Sequence, residues 1–326
     1  MQNISHKQLA LNDVEMHVAE LGEGPAVLLC HGFPETWYSW RHQMAALSEN
    51  GYRAIAPDLR GYGQTTQPAE IDQYTILHLV GDMVALLDVL KIDVAVIIGN
   101  DWGATIAWQA ALLRPDRFRG VVALGVPMMA QPPVPPTRIF PENDVALFYT
   151  LYFQAPGIAE EELGRDVRLT LRKLLFAASG EAGARHERDG TPNPFGMVPR
   201  LGGLLSTLPN PAIFPAWLNE ADLDVYVAAF ESSGFQGPLN YYRNLDRNRE
   251  LLAPFNGLQV IVPALFLAGE RDPGRVIPGM DKIIAEMTAL VPSLRDSVTL
   301  PATGHWAQQE QSQRVSSAIL EFIRTL

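Results

Sequence analysis

Ala95-Val96-Ile97-Ile98-Gly99-Asn100-Asp101-Trp102-Gly103 is a strand running into a tight turn, with helical spacing resuming over residues 104–113. Four successive apolar residues fit a strand buried on both faces, and glycines on either side of the turn mark a place where side chains do not fit. A strand, turn and helix of this spacing form the setting of a nucleophile elbow, here with Asp101 at the nucleophile position. An isolated Asp between strand and helix reads equally well as an N-cap, and the flanking glycines tip the reading to the elbow. The residue type then sets the chemistry. A carboxylate attacks an electrophilic sp³ carbon and leaves an alkyl ester, whereas a serine suits acyl transfer.

Outward from this stretch, strand and helix alternate. Residues 8–20 alternate like an antiparallel strand, Gly22-Glu23-Gly24-Pro25 turns, and Ala26-Val27-Leu28-Leu29-Cys30 is a continuous apolar run. A helix over 40–49 stops at Asn50-Gly51, a short strand follows over 52–57, a helix over 74–90, and a strand over 121–124. That order builds an α/β fold: a mostly parallel central sheet with helices on both faces. From Pro127 the character changes, because Gln131-Pro132-Pro133-Val134-Pro135-Pro136 suits neither a central strand nor a helix interior. The segment reads as an inserted helical cap of helices and irregular loops, with 180–203 a long exposed loop inside it. Strands return over 259–262, 264–269 and 297–300, with helices near 280–290 and over 315–326. The expected division is core over 1–127, cap over 128–245 and core again over 246–326.

Composition limits the function. The 326 residues carry a formal net charge of -11, with a pI near 5.1, so the surface field repels nucleic acid and anionic lipid. One cysteine, Cys30, excludes an intrachain disulfide and reads as a small buried hydrophobe ending a strand. No basic, apolar leader opens the chain and no run approaches the roughly 18 apolar residues of a membrane helix, so a soluble, cytoplasmic enzyme is expected. Gly61-Tyr62-Gly63 lacks the third glycine of a dinucleotide loop and no H-E-x-x-H occurs, so neither cofactor nor metal is expected.

An alkyl ester on Asp101 must be cleaved by water, which calls for a base near neutrality. Of seven histidines, His305 stands apart, in Thr303-Gly304-His305-Trp306 directly after the last strand. His6, His17, His42, His78 and His186 read as surface residues. The acid that orients the base should follow an earlier strand, and Gly269-Glu270-Arg271-Asp272 offers two; Asp272 is preferred, with Glu270 a solvated or ion-paired loop residue. The other position for an acid, Gly125-Val126-Pro127, contains no carboxylate.

Beyond these residues, the loop His31-Gly32-Phe33-Pro34 and the segments Leu151-Tyr152-Phe153-Gln154, Pro156-Gly157 and Gly237-Pro238-Leu239-Asn240-Tyr241-Tyr242-Arg243-Asn244 complete a set. Across nearly the whole chain that set resembles the soluble epoxide hydrolases, which have the α/β-hydrolase fold. The order nucleophile, acid, histidine matches that superfamily. The resemblance implies an oxyanion hole from the Phe33 and Trp102 backbone N–H groups, with His31 and Pro34 in the same substrate-binding loop. It implies that one tyrosine from each cap motif, Tyr152 and Tyr242, protonates the epoxide oxygen, Tyr241 being the alternative to Tyr242. The partners implied are a small-molecule epoxide and water. Two rival readings share the scaffold. A haloalkane or haloacid dehalogenase would use the same Asp-His-Asp machinery but want N–H donors for a halide, and a non-catalytic ligand receptor would be expected to lack one of Asp101, Asp272 or His305.

Overall fold

Eight strands form one sheet in the computed structural model, which describes residues 4–183 and 196–326. Strands β1 (Ser5–Leu11) and β2 (Val14–Leu21) replace the single strand expected over 8–20. Asn12, with φ of 30°, and Asp13 reverse the chain, a left-handed turn that short polar side chains tolerate. Then come β3 (Ala26–Cys30), α1 (Arg41–Glu49), β4 (Arg53–Pro57), α2 (Ile76–Val89), β5 (Ala95–Asn100), α3 (Trp102–Leu113) and β6 (Phe118–Leu124).

At Leu124 the chain leaves the sheet. The segment expected to form the cap contains β7 (Ala146–Phe148), α4 (Tyr149–Tyr152), α5 (Ile158–Gly164), α6 (Val167–Ala177), β8 (Met197–Pro199), α7 (Glu220–Ser233) and α8 (Gln236–Arg243), and α9 (Leu245–Leu252) leads back to the sheet. Helices and loops alone were expected here, but β7 and β8 pair as an antiparallel ribbon. Of the long loop expected over 180–203, residues 184–195, including His186, lie outside the described residues; its ends are a single 3₁₀ turn at Gly180–Ala182 and β8.

The core resumes with β9 (Ala264–Gly269), α10 (Met280–Ala285), β10 (Leu294–Leu300), α11 (Ala307–Glu310) and α12 (Ser312–Ile323). The strand expected over 259–262 is absent. Val260 N–H instead donates to the Leu290 carbonyl, and Pro263, with no N–H to give a neighbouring strand, delays pairing until Ala264.

The strand order is β1-β2-β4-β3-β5-β6-β9-β10, with only the β1-β2 and β2-β4 pairings antiparallel. Alternation within strands sorts the core. Leu28, Cys30, Ile97, Val121 and Phe266 face the larger cluster, whereas Val27, Leu29, Val96, Val122 and Leu267 face the cluster beneath α1 and α12. Each such side chain stabilises by roughly 1.5–3 kcal/mol when buried. The chain moves from β3 to β4 in one direction and from β5 onward in the other, so the sheet order reverses between β3 and β5. In open α/β sheets such a reversal marks the ligand crevice, beyond the carboxyl ends of the strands, and the turn after β5 stands at that point. Among the described residues no helix is long and apolar enough to cross a membrane.

Candidate active site

Asp101 sits at φ 54° and ψ -119°, a conformation that costs a non-glycine residue on the order of 1–3 kcal/mol. Its side chain makes no capping bond to α3, so the N-cap reading falls away. The glycines around it are needed for space. A Cβ on Gly99 would strike the Gly103 backbone, one on Gly103 the Cys30 carbonyl, and one on Gly32 the Asp101 side chain itself. With β3, β5 and α3 in such close approach, the carboxylate has only the crevice to occupy.

There its two oxygens differ. Oδ1 accepts from the Phe33 backbone N–H at 2.9 Å, and Oδ2 lies 3.5 Å from His305 Nε2. The other ring nitrogen, Nδ1, faces both Asp272 oxygens at 3.1 and 3.0 Å. Asp272 is only 1% exposed and also accepts from the Gly274 N–H at 2.8 Å. Burial by itself would lower the His305 pKa, but the Asp272 and Asp101 carboxylates raise it well above the usual histidine value. Gly125 stands at the junction, where a Cβ would sit 3.1 Å from Asp272 Oδ2 and 3.5 Å from His305 Cε1. Glu270 is exposed and accepts from the Ala302 N–H.

Trp102 opens α3, so its N–H has no acceptor within the helix, and its ring packs on Tyr241 and Tyr242. His31 departs from the role implied for it. Its Nε2 accepts from the Leu59 N–H and its Nδ1 donates to the Gly32 carbonyl, so both ring nitrogens are engaged in holding the loop. Burial lowers its pKa to about 4, which keeps it neutral for that task. Pro34, buried and lacking an N–H, shapes the loop without donating to it. His17 is also not a surface residue: it is 2% exposed, bonded through Nδ1 to Asp58 at 2.8 Å and through Nε2 to His6 at 2.9 Å, because β2 lies between β1 and β4.

The cap tyrosines require a correction. Tyr152 donates its hydroxyl to Glu162 at 2.7 Å, and the charges around it are those of Glu162, Glu160 and Glu161. Three residues earlier on α4, Tyr149 is the one whose hydroxyl feels Asp101 and Asp272. Burial first, then the Asp101 charge, raises the pKa of Tyr149 and of Tyr242, so both phenols stay protonated. Their rings pack at 6.0 Å, and Phe153 and Phe33 pack against the Tyr242 ring. Tyr241 points elsewhere, donating to the Arg60 carbonyl at 2.8 Å.

Glu35 went unnoticed in the sequence although it follows Pro34 directly. It is fully buried and accepts from Asn100 Nδ2, Gln308 Nε2 and Gln309 Nε2. Burial pushes its carboxyl up to about 7 from 4.5, with the nearby His305 charge opposing. A group whose folded pKa is raised contributes stability that is full below the unfolded value and lost as pH climbs through the folded one. Urea unfolding should therefore show Glu35→Gln gaining on the parent protein by up to about 3 kcal/mol between pH 4.5 and 7. A constant difference across that window would mean that Glu35 is ionised throughout.

Among the described residues no group of three or more His, Cys, Asp or Glu side chains is placed to hold a metal. What remains is a carboxylate with one oxygen held by a backbone N–H and the other turned to His305, an imidazole oriented by a second carboxylate, and two neutral phenols nearby. Residues 25–181 match the family model described as alpha/beta hydrolase fold. The chain is 41% identical over 318 residues to Epoxide hydrolase A of Mycobacterium tuberculosis, covering 97% of this chain and 96% of that one. It is 41% identical over 331 residues to Epoxide hydrolase 2 of Siraitia grosvenorii, with 99% of each covered. Among solved structures, an epoxide hydrolase from an endophytic Streptomyces aligns at TM-score 0.93 and 41% identity over 98% of this chain and 95% of that one. One from Vigna radiata aligns at 0.89 and 40%, over 99% and 98%.

Proposed function

The chain belongs to the epoxide hydrolases of the α/β-hydrolase fold, and from that membership we propose that it converts a small-molecule epoxide and water to a vicinal diol through an ester on Asp101. The observation that carries the mechanism is the division of labour within the Asp101 carboxylate. Oδ1 rests on the Phe33 N–H, where a developing oxyanion would be held, and Oδ2 faces His305 Nε2 at 3.5 Å with no backbone donor of its own.

In the first half-reaction Oδ2 attacks a ring carbon, the carbon–oxygen bond of the strained ring breaks, and the departing oxygen takes a proton from Tyr149 or Tyr242. This leaves a hydroxyalkyl ester and a phenolate. Acid assistance is needed because an alkoxide is a poor leaving group. In the second, His305 Nε2 removes a proton from water as its oxygen adds to Cγ. The charge on Oδ1 is held by the Phe33 N–H and the Trp102 N–H. When the Cγ–Oδ2 bond breaks, Oδ2 leaves in the diol, and the two protons of the water restore the second hydroxyl and the phenol. Asp272 keeps the imidazole oriented and balances its charge. Residues 128–245 act as the cap that brings the phenols over the nucleophile and limits access of water.

A single turnover in ¹⁸O-water tests this. Because Oδ2 leaves in the product, the first diol should carry no label and the peptide containing Asp101 should gain one ¹⁸O. Label in the first diol would mean direct attack of water on the epoxide and would remove Asp101 as nucleophile. A dehalogenase reading has less support, since the groups facing Asp101 are phenols able to protonate an alkoxide.

A further inference from the structure

Glu310 belongs to no part of the mechanism above, yet its carboxylate is shared between the cap and the loop that carries His305. Oε2 accepts from the Gly304 N–H and from the Gly180 N–H, both at 2.9 Å, and Oε1 accepts from the Trp306 N–H at 3.1 Å. The residues on either side of His305 are thus tied to one carboxylate. The His305 N–H itself donates to the cap carbonyl of Ala178 at 2.8 Å, and the Trp306 indole donates to the Leu175 carbonyl at 2.8 Å. Arg271, next to Asp272, closes the seam by donating to the Gly180 carbonyl at 2.9 Å. The backbones meet so closely that a Cβ on Gly180 would strike the Ala302 carbonyl and one on Gly304 the Ala178 carbonyl.

We propose that Glu310 is a positioning residue that clamps the end of α6 onto the His305 loop, so that hydrolysis of the ester depends on the cap being seated. A plain helix cap explains less. The Trp306 N–H lies at the start of α11 and would satisfy that role, but the Gly180 bond joins a second part of the chain to the same oxygen. A carboxylate suits the task because it accepts from three donors without offering one; an amide in its place would set an N–H against an N–H. Burial pushes this carboxyl up to about 7, and the three N–H donors oppose the rise, so the contacts favour the charged form that burial disfavours.

The inference rests on the reading of Asp101 as nucleophile and His305 as base, and it predicts a split between half-reactions. In Glu310→Gln, ring opening should stay within about twofold while ester hydrolysis slows on the order of tenfold to a hundredfold, the cost of a loosened catalytic group. Rapid-quench intact mass would then find most of the enzyme as ester at steady state. Hydrogen exchange at the Gly180, Gly304 and Trp306 amides should accelerate together. Glu310→Asp keeps both oxygens but is one methylene shorter, and it should have the same split if the Gln variant does not fold. Equal slowing of both half-reactions, or faster amide exchange with no change in either rate, overturns the clamp. His305→Gln is run alongside. If it builds no ester, the reading of Asp101 and His305 fails; if it builds ester and neither Glu310 variant does, only the clamp fails.

Discussion

His305→Gln, mixed with a reactive aryl epoxide, accumulates a covalent adduct equal in mass to enzyme plus the whole substrate. Ring opening loses no atoms, so nothing leaves when Asp101 Oδ2 bonds to carbon, and the pinned Oδ1 and the cap phenols are untouched by the change. The second half-reaction stalls, because glutamine cannot take a proton from water. Turnover should fall by about 10²–10⁴, the usual contribution of a positioned general base. Peptide mapping should place the adduct on Asp101. The electrostatics of the pair explain why the base is needed only then. In the free enzyme the Asp272 and Asp101 charges hold the imidazole cationic against its burial. On the proposed mechanism, esterification would neutralise Asp101 and remove part of that support, so that the imidazole would give up its proton to solvent and then, as the neutral base, take one from water. A bound substrate with no adduct, or an adduct on another residue, sinks the mechanism.

The second large effect concerns the phenols. Tyr149→Phe and Tyr242→Phe should each slow ring opening by about 10²–10³, most for unactivated epoxides whose alkoxide is hardest to expel. Tyr152→Phe should leave ring opening within about twofold and lower stability by roughly 1 kcal/mol, the worth of its bond to Glu162. Tyr241→Phe should behave likewise, since its hydroxyl serves the Arg60 carbonyl. Stopped-flow single-turnover rates separate these outcomes. Loss of ring opening in Tyr152→Phe with Tyr149→Phe silent would return the acid to the position first expected.

What the sequence made legible followed from local constraints. The run from Ala95 to Gly103 could be read because a buried parallel strand and a glycine-walled turn each demand particular residue types. Asp272 and His305 follow from where the last strands end, and the two come together as expected. The choice between Tyr149 and Tyr152 was not legible, because the two lie one helical turn apart in a four-residue helix and only the tertiary position of Glu162 separates them. His31 misled for a related reason, since its partner Leu59 is supplied by the loop after another strand. Glu35 was hidden because its three amide donors come from β5 and α11, far away in sequence. The strand expected over 259–262 failed on a single residue, Pro263, and the hairpin over 8–20 was missed although its signal was present: Asn12 and Asp13, two polar residues in succession, shift the apolar positions from 9 and 11 to 14, 16 and 18.

The excursion between β6 and β9 also orders events during synthesis. β6 pairs with β5 on one side and β9 on the other, and β9 begins only at Ala264. A nascent chain that has already emitted the nucleophile strand and the whole cap therefore still presents β6 as an open edge, the kind of edge that invites pairing with another chain. Asp272 and His305 arrive later still, so the strained elbow has to be assembled around partners that do not yet exist. Contacts closed across so long an interval make folding slow and leave a window for aggregation. The same insertion that carries Tyr149 and Tyr242 toward Asp101 leaves this enzyme most exposed before β9 has left the ribosome.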